Sequence, residues 1–316
     1  MQTPKILYFT QLAFSDASMA RIKKIGEIVE ISSLDEVSDS DLETINIAFA
    51  PLSFRFGSHF FDKAPNLRVI ASNTTGVPHI DLIAAATRNI SVCALHNQQD
   101  FLEQITPTAE HTIGLMLAVS RKIPGAFQEV KNGIWNRWNW GASRMLSRCS
   151  IGIVGFGRLG RKVGAITSAM GMKVYWYDPN VSGSEPSLEV LAAKSDILSI
   201  HAVSQPSTYR LVSRNILKAL PQGSIVLNTA RGEILDLDAL LDLMEEGHIA
   251  AAGLDTLEGE YSPEFECTFA RSRVLQYCNK NDNLILTPHI GGSTLDAWEE
   301  TQLKVISLIE AELPFE

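Results

Sequence analysis

Gly155, Gly157 and Gly160 close the run Ile151-Gly-Ile-Val-Gly-Phe-Gly-Arg-Leu-Gly160, and Asp178 follows 18 residues beyond the last of them. The spacing is G-x-G-x-x-G after a short apolar segment, and each position has a use in holding a dinucleotide. Gly155 permits a tight turn from strand to helix. Gly157 lets backbone approach a pyrophosphate with no Cβ in the way, and Gly160 lets the helix lie close on the sheet. The N-terminus of the following helix, opened by Arg158 and Leu159, offers N–H groups and its positive dipole end to the phosphates. Asp178 ends the strand-like stretch Met172–Tyr177, where a carboxylate can accept hydrogen bonds from both ribose hydroxyls. A 2′-phosphate would be repelled there, and Pro179 and Asn180 supply no arginine to receive it, so NAD is expected rather than NADP. A glycine triplet alone is a common turn; the strand before it, the helix-compatible run 158–170 after it and the acid at the next strand end give it meaning.

The elements that must carry this site follow from the apolar pattern. The chain has 316 residues, 45% hydrophobic and 20% charged, which fits two domains of an ordinary soluble globular protein. Strand-like runs at 5–9, 27–31, 45–49, 68–71 and 90–93 alternate with helical patterns at 18–25 and 78–88, implying a first α/β unit with a parallel sheet. A second series (151–154, 173–177, 197–200, 224–227, 250–254, 283–286) gives six more strands. Thr108–Arg121 is apolar on most sides and reads as a buried helix at a domain or subunit junction. Leu295–Leu313 reads as a final helix. The net charge of −9, with no basic block, speaks against nucleic acid or an anionic membrane as partner. No run approaches a membrane span, no signal peptide is apparent, and the location expected is cytoplasmic. Cys93, Cys149, Cys267 and Cys278 are widely spaced and read as reduced thiols, so no metal is expected.

With the C-terminal half included, the chain resembles the D-isomer-specific 2-hydroxyacid dehydrogenases, and within them the catalytic core of the phosphoglycerate dehydrogenases. The resemblance is carried by Glu110–Ala118, the glycine motif, Tyr177-Asp-Pro179, Asn228-Thr-Ala-Arg-Gly232, Gly253-Leu-Asp255 with Glu260, and Thr287-Pro-His-Ile-Gly-Gly-Ser-Thr294, in family order. It implies an α/β fold of two doubly wound domains, a Rossmann NAD-binding domain (101–288) inserted into a discontinuous flavodoxin-like substrate domain (1–100 and 289–316). The active site would lie in the cleft, at the carboxyl ends of the strands.

The resemblance also assigns roles. His289 matches the general acid/base, and histidine's ordinary pKa of about 6.5 keeps both protonation states accessible at neutral pH. Glu260 matches its carboxylate partner, whose charge favours the imidazolium. Arg231 matches the cation that clamps the substrate carboxylate, a task suited to a planar guanidinium. Thr229, Ala230, Asp255, Gly291 and His201 join Gly155, Gly157, Arg158, Leu159, Gly160 and Asp178 as cofactor-binding positions. The backbone of Asn73-Thr-Thr-Gly76 matches a loop that holds the substrate carboxylate through N–H groups, with Thr74 and Thr75 at its centre. Arg55 lies where a substrate phosphate would be met, or forms a surface salt bridge.

The implied activity is NAD-dependent interconversion of a D-2-hydroxy acid and its 2-oxo acid, with 3-phosphoglycerate the first substrate to consider and D-lactate, D-glycerate or a sugar-derived acid still open. An NAD(H)-responsive corepressor-like binding protein is the alternative of another class. Formate dehydrogenase-like chemistry shares the fold, but Glu260 stands where that branch has glutamine. A homodimer is expected through the Thr108 helix and the Trp135, Trp138, Trp140 region, whose tryptophans read as buried subunit packing or as a carbohydrate platform. Three departures from the family pattern stand out: a longer 95–106 segment, Tyr261-Ser262 after Glu260 in place of proline, and a lengthened 265–282 connection. Glu258 leaves open which acid pairs with His289.

Overall fold

The structure is a computed structural model that describes residues 3–313 except Pro263; the ends of the expected domain spans, 1–2 and 314–316, lie outside the described residues. The chain divides into two compact units, Met1–Ile105 with Ser293–Glu316, and Thr106–Gly292. The crossings therefore fall at 105/106 and 292/293, against 100/101 and 288/289 in the sequence reading. The C-terminal boundary matters: His289 belongs to the same unit as Glu260 and Arg231.

In the first unit, strands β1 (Lys5–Phe9), β2 (Glu27–Ile31), β3 (Ile47–Phe49), β4 (Val69–Ser72) and β5 (Ser91–Ala94) form one parallel sheet in the order β2-β1-β3-β4-β5. This is the flavodoxin-like order. Both faces are buried, so the strands read as continuous apolar runs rather than as alternating ones. Leu7, Phe9, Ala48 and Ile70 enter a core with Phe60, Phe61 and Ala85. Ile6, Tyr8, Ile47, Phe49, Val69 and Ala71 enter a second core with Ile22, Val305, Ile306 and Ile309. The last three lie on the C-terminal helix Leu295–Glu312, so the first 105 residues cover only one face of their own sheet fully and the end of the chain returns to cover the other.

The helix expected over 78–88 is shorter, Leu82–Ala86. Asp81 sets its start, accepting the Ile83 and Ala84 N–H groups at 3.1 and 2.9 Å, while Ile80 is held in an isolated bridge to Phe56. The long 95–106 segment contains a 3₁₀ turn (Leu95–Asn97) and a short helix (Gln99–Leu102).

The second unit holds β6 (Ser150–Val154), β7 (Lys173–Tyr177), β8 (Ile197–Ile200), β9 (Ser224–Asn228), β10 (Ile249–Leu254) and β11 (Leu284–Leu286), all parallel, in the order β11-β10-β9-β8-β6-β7. The order reverses around β6. The chain runs from β6 outward to β7, then crosses to β8 on the other side, and the crevice at the carboxyl ends of β6 and β8 is where doubly wound sheets bind ligands. Helix Pro107–Ser120, with proline in its first turn, buries Ala109, Leu115, Met116 and Val119 against this sheet, beside Ile151, Ile153 and Leu227. The 265–282 connection forms two helices, Phe265–Phe269 and Arg273–Lys280. The four cysteines are free, Cys93 and Cys149 buried. No helix among the described residues is long and apolar enough to cross a membrane, and no group of three His, Cys, Asp or Glu side chains among them could hold a metal.

Candidate active site

The glycine turn has the geometry its spacing demands. Gly155 takes φ +87°, and a Cβ there would lie 2.6 Å from the Ala202 backbone. At Gly160 a Cβ would sit 2.2 Å from the Gly155 carbonyl oxygen, so only glycine lets this helix approach the turn. At Gly157 a Cβ would meet nothing within 4 Å: the space over the turn is open, and the helix Arg158–Ala169 begins there with no side-chain cap. Asp178 accepts the Phe156 N–H on Oδ2 at 2.9 Å and the Asn180 N–H on Oδ1 at 3.0 Å, which fixes the carboxylate at the end of β7. Each oxygen keeps a lone pair for a ribose hydroxyl. Phe156 stacks on Trp176 with ring centroids 4.4 Å apart, bracing the turn. An open turn, an uncapped helix start and a positioned acid fit a dinucleotide such as NAD.

His201 follows β8. Its N–H donates to the Val154 carbonyl at 2.7 Å, and its Nε2 pairs with Ser199 Oγ at 2.8 Å. Burial lowers its pKa to about 4. Thr229 shares a buried hydrogen bond of 2.7 Å with Thr112, and Asn228 closes the turn after β9 by accepting the Ala230 N–H at 3.0 Å and donating to the Arg231 carbonyl at 2.9 Å. Thr229 and Ala230 thus line a rigid corner at the carboxyl end of β9.

The same corner presents Arg231, half-buried, with Nη1 donating to the Ala230 carbonyl at 2.6 Å. A Cβ on the next residue, Gly232, would lie 2.0 Å from the Leu257 carbonyl carbon and the Glu258 nitrogen, so the loop after β9 rests directly on the loop after β10. That second loop carries Glu260, whose Oε1 stands 2.7 Å from His289 Nδ1. Glu258 is engaged elsewhere: Tyr209 donates to it at 2.9 Å and Arg210 lies 3.5 Å away. Glu260, not Glu258, faces the histidine. With Nδ1–H given to the carboxylate, Nε2 is the free ring nitrogen, and it meets no partner among the described residues.

His289 itself has φ +51°, a left-handed conformation uncommon for non-glycine residues. What holds it is Asp255, 2% exposed. Asp255 accepts the Thr287 hydroxyl at 2.6 Å, the Ile290 N–H at 2.9 Å and the Gly291 N–H at 2.8 Å, while its own carbonyl accepts the His289 N–H at 2.8 Å. His111 closes the cluster, its Nε2 3.0 Å from Thr287 Oγ1 and 3.2 Å from Asp255 Oδ1. A Cβ on Gly291 would lie 2.7 Å from the Asp255 carboxylate, so glycine is required for this closure. Both Asp255 oxygens are thus occupied with the loop that presents His289.

In the first unit, the 73–76 loop follows β4. Ser72 and Thr74 hydroxyls lie 2.9 Å apart, and Thr74 donates to the Gly76 carbonyl at 2.7 Å. The N–H groups of Thr74, Thr75 and Gly76 have no acceptor among the described residues, as an anion-holding loop requires. Arg55 is exposed and donates to the Pro78 carbonyl at 3.2 Å. Within one chain Trp135 and Trp138 are 89% and 81% exposed, while Trp140 packs on Gly125 and donates to Glu129 at 2.5 Å.

One residue at the site carried no role in the sequence reading. The Tyr261 hydroxyl lies 3.0 Å from His289 Nδ1, its ring 5.7 Å from the imidazole. Burial, then the charge of Glu260, pushes its phenol above the ordinary range, so it stays protonated. Its oxygen can share the Nδ1–H that Glu260 accepts. The only signal in the sequence is the phenol directly after the acid. Tyr261→Phe is expected to lower kcat by up to about tenfold, the worth of one neutral hydrogen bond, with NADH affinity unchanged by fluorescence titration; an unchanged kcat would remove the hydroxyl from the site.

His201 gives a separate outcome. The folded protein keeps this ring neutral down to about pH 4, whereas the unfolded chain takes up a proton near pH 6.5, so stability is lost as the pH falls through that window. His201→Gln should show a shallower acid loss than wild type in urea melts between about pH 4 and 7; parallel curves would contradict it.

Comparison with known proteins places this geometry. Residues 113–291 match the family described as D-isomer specific 2-hydroxyacid dehydrogenase, NAD binding domain. A glyoxylate reductase of Thermofilum pendens is 30% identical over 99% of this chain and 94% of its own length. A D-3-phosphoglycerate dehydrogenase of Mycobacterium tuberculosis is 31% identical over 99% of this chain, which spans only 57% of that relative. The solved D-lactate dehydrogenase of Aquifex aeolicus, complexed with NAD and lactic acid, shares the fold with a TM-score of 0.82 at 23% identity, covering 97% of this chain and 94% of that one. The glycine turn, the parallel sheet around it and these matches agree: the chain belongs to the D-isomer-specific 2-hydroxyacid dehydrogenases, NAD-binding oxidoreductases.

Proposed function

We propose that this protein interconverts a D-2-hydroxy acid and its 2-oxo acid with NAD(H), using His289, Glu260 and Arg231. The observation that carries the proposal is the 2.7 Å pair of Glu260 and His289, which commits Nδ1 and leaves Nε2 for the substrate. NADH, when bound, would supply a hydride to C2 of the oxo acid. His289 as imidazolium gives its Nε2 proton to the C2 oxygen, completing the hydroxyl and leaving a neutral ring that solvent reprotonates. In the oxidising direction the same nitrogen takes the hydroxyl proton. Glu260, accepting at Nδ1, keeps the ring in the tautomer with Nδ1–H and so leaves Nε2 to the substrate. Arg231 supplies the cation that holds the carboxylate and polarises the C2 oxygen. The loop 73–76 of the first unit has N–H groups of its own suited to a carboxylate.

The preference for NAD over NADP belongs to the proposal and is supported by the carboxylate of Asp178, held by two backbone N–H groups at the end of β7. Among substrates, 3-phosphoglycerate rests on Arg55, whose guanidinium is turned to the Pro78 carbonyl. A homodimer is supported by Ile123, Phe127 and Val130, spaced four and three apart on one exposed helix face, and by exposed Trp135 and Trp138, an apolar surface of the kind monomers rarely leave open.

His289→Ala is expected to lower turnover by about 10²–10⁴ while leaving NADH binding intact. Activity equal to wild type would remove His289 from the mechanism, and tight NADH binding without turnover of any 2-oxo acid would favour a binding module instead. Sedimentation should show a dimer that Trp135→Ser with Trp138→Ser shifts to monomer at unchanged circular dichroism; a monomeric wild type would end that part of the proposal.

A further inference from the structure

We infer that the substrate's side chain is small, uncharged and hydroxylated, and that Gln302 is the residue that recognises it. The inference rests on the dehydrogenase reading above and adds the substrate class. Within the first unit a cavity of about 200 Å³ opens beside Asn73 and Thr74, the loop whose free N–H groups suit a substrate carboxylate. A 2-oxo acid held there by its carboxylate has its side chain within reach of this cavity. The walls are apolar at Leu12, Leu52 and Trp298 and carry amides at Gln11 and Gln302; none of the described lining residues is charged. A phosphate or second carboxylate placed there would shed water and find no cation.

Gln302 is 2% exposed, on the C-terminal helix. Its Oε1 accepts the Ser15 N–H at 2.9 Å, and because only the oxygen can accept, the amide cannot be turned over without breaking that bond. Nε2 therefore points away from Ser15. It finds no acceptor among the described residues, yet it is not sealed off, and the residue lines the cavity. Water can meet this donor in the open cavity, and a ligand that displaces that water must bring an oxygen in its place or leave the amide unpaired. Gln11 is tied by the Ser53 hydroxyl at 3.1 Å through its own oxygen, so its nitrogen too is a donor. Oriented N–H groups select a hydroxyl oxygen over a methyl group, while the lack of a cation among the described lining residues leaves the desolvation of a phosphate uncompensated.

The test is kcat/KM with NADH for hydroxypyruvate, pyruvate and phosphohydroxypyruvate, in wild type, Gln302→Leu and Gln302→Glu. Wild type should favour hydroxypyruvate over each of the others. The hydroxypyruvate-to-pyruvate ratio should fall about tenfold in both variants; Gln302→Glu keeps an oxygen for the Ser15 N–H and so separates loss of the donor from loss of the anchor. Equal losses on both substrates, with the ratio unchanged, would make Gln302 structural and overturn the inference, as would a wild-type preference for pyruvate or for the phosphorylated acid; in each case the dehydrogenase reading survives. Turnover of none of the three would overturn the inference, and only failure on every other 2-oxo acid tried, glyoxylate included, would overturn the dehydrogenase reading with it.

Discussion

The buried carboxylate of Asp255 is the contact on which the rest of the site depends. Three donors from the segment 287–291 converge on it, two of them backbone N–H groups. A buried charge is tolerated only when it is hydrogen-bonded on most sides, and here the donors are supplied by the loop that carries the proposed acid/base. The dependence is mutual. The loop needs the carboxylate to reach its conformation, and the carboxylate needs the loop to remain buried. His111, from a helix far off in sequence, joins through Thr287, so the helix Pro107–Ser120 is tied to the same point.

Around this anchor, close backbone approach does what side chains cannot. Gly232 brings the loop after β9 onto the loop after β10, and Gly291 lets the 287–291 segment lie against Asp255. The loops that carry Arg231 and Glu260 thereby share one surface, and His289 is brought to Glu260 from the segment after β11. Three strand ends of one sheet thus deliver the three proposed groups. The sheet supplies rigidity and the glycines supply proximity.

Much of this was legible in the sequence, and for identifiable reasons. Strands buried on both faces leave short apolar runs, and the glycine spacing of 155–160 records a steric demand that only those positions meet. The ordered motifs named Arg231, Glu260 and His289 together. They also named Glu260 as the partner of His289, a pair the structure places at 2.7 Å, but not what Asp255 touches. Asp255 read as a cofactor residue, and its role in gripping 287–291 depends on contacts 32–36 residues away. The helix over 78–88 was overestimated because apolar spacing continues past the point where Asp81 caps the chain. Trp135 and Trp138, expected at a subunit contact, are exposed within one chain, so what covers them lies beyond the reach of its sequence pattern. Gln302 left no trace in sequence, since its meaning comes from an N–H at Ser15 nearly three hundred residues away.

The left-handed backbone of His289 ties these points to the proposed chemistry. A non-glycine residue at φ +51° is held at a cost of about 1–3 kcal/mol, and it persists only where its surroundings over-determine it. Here they do: its own N–H is bound by the Asp255 carbonyl, the next two N–H groups are bound by the Asp255 carboxylate, and its ring is bound by Glu260 and Tyr261. Relaxing the residue to an ordinary conformation would break several of these bonds together. The strain therefore works as an aiming device. It turns the imidazole so that Nδ1 meets the carboxylate and Nε2, the nitrogen assigned to proton transfer, is left uncommitted, a division of labour that an unstrained histidine at this strand end would have no structural reason to keep.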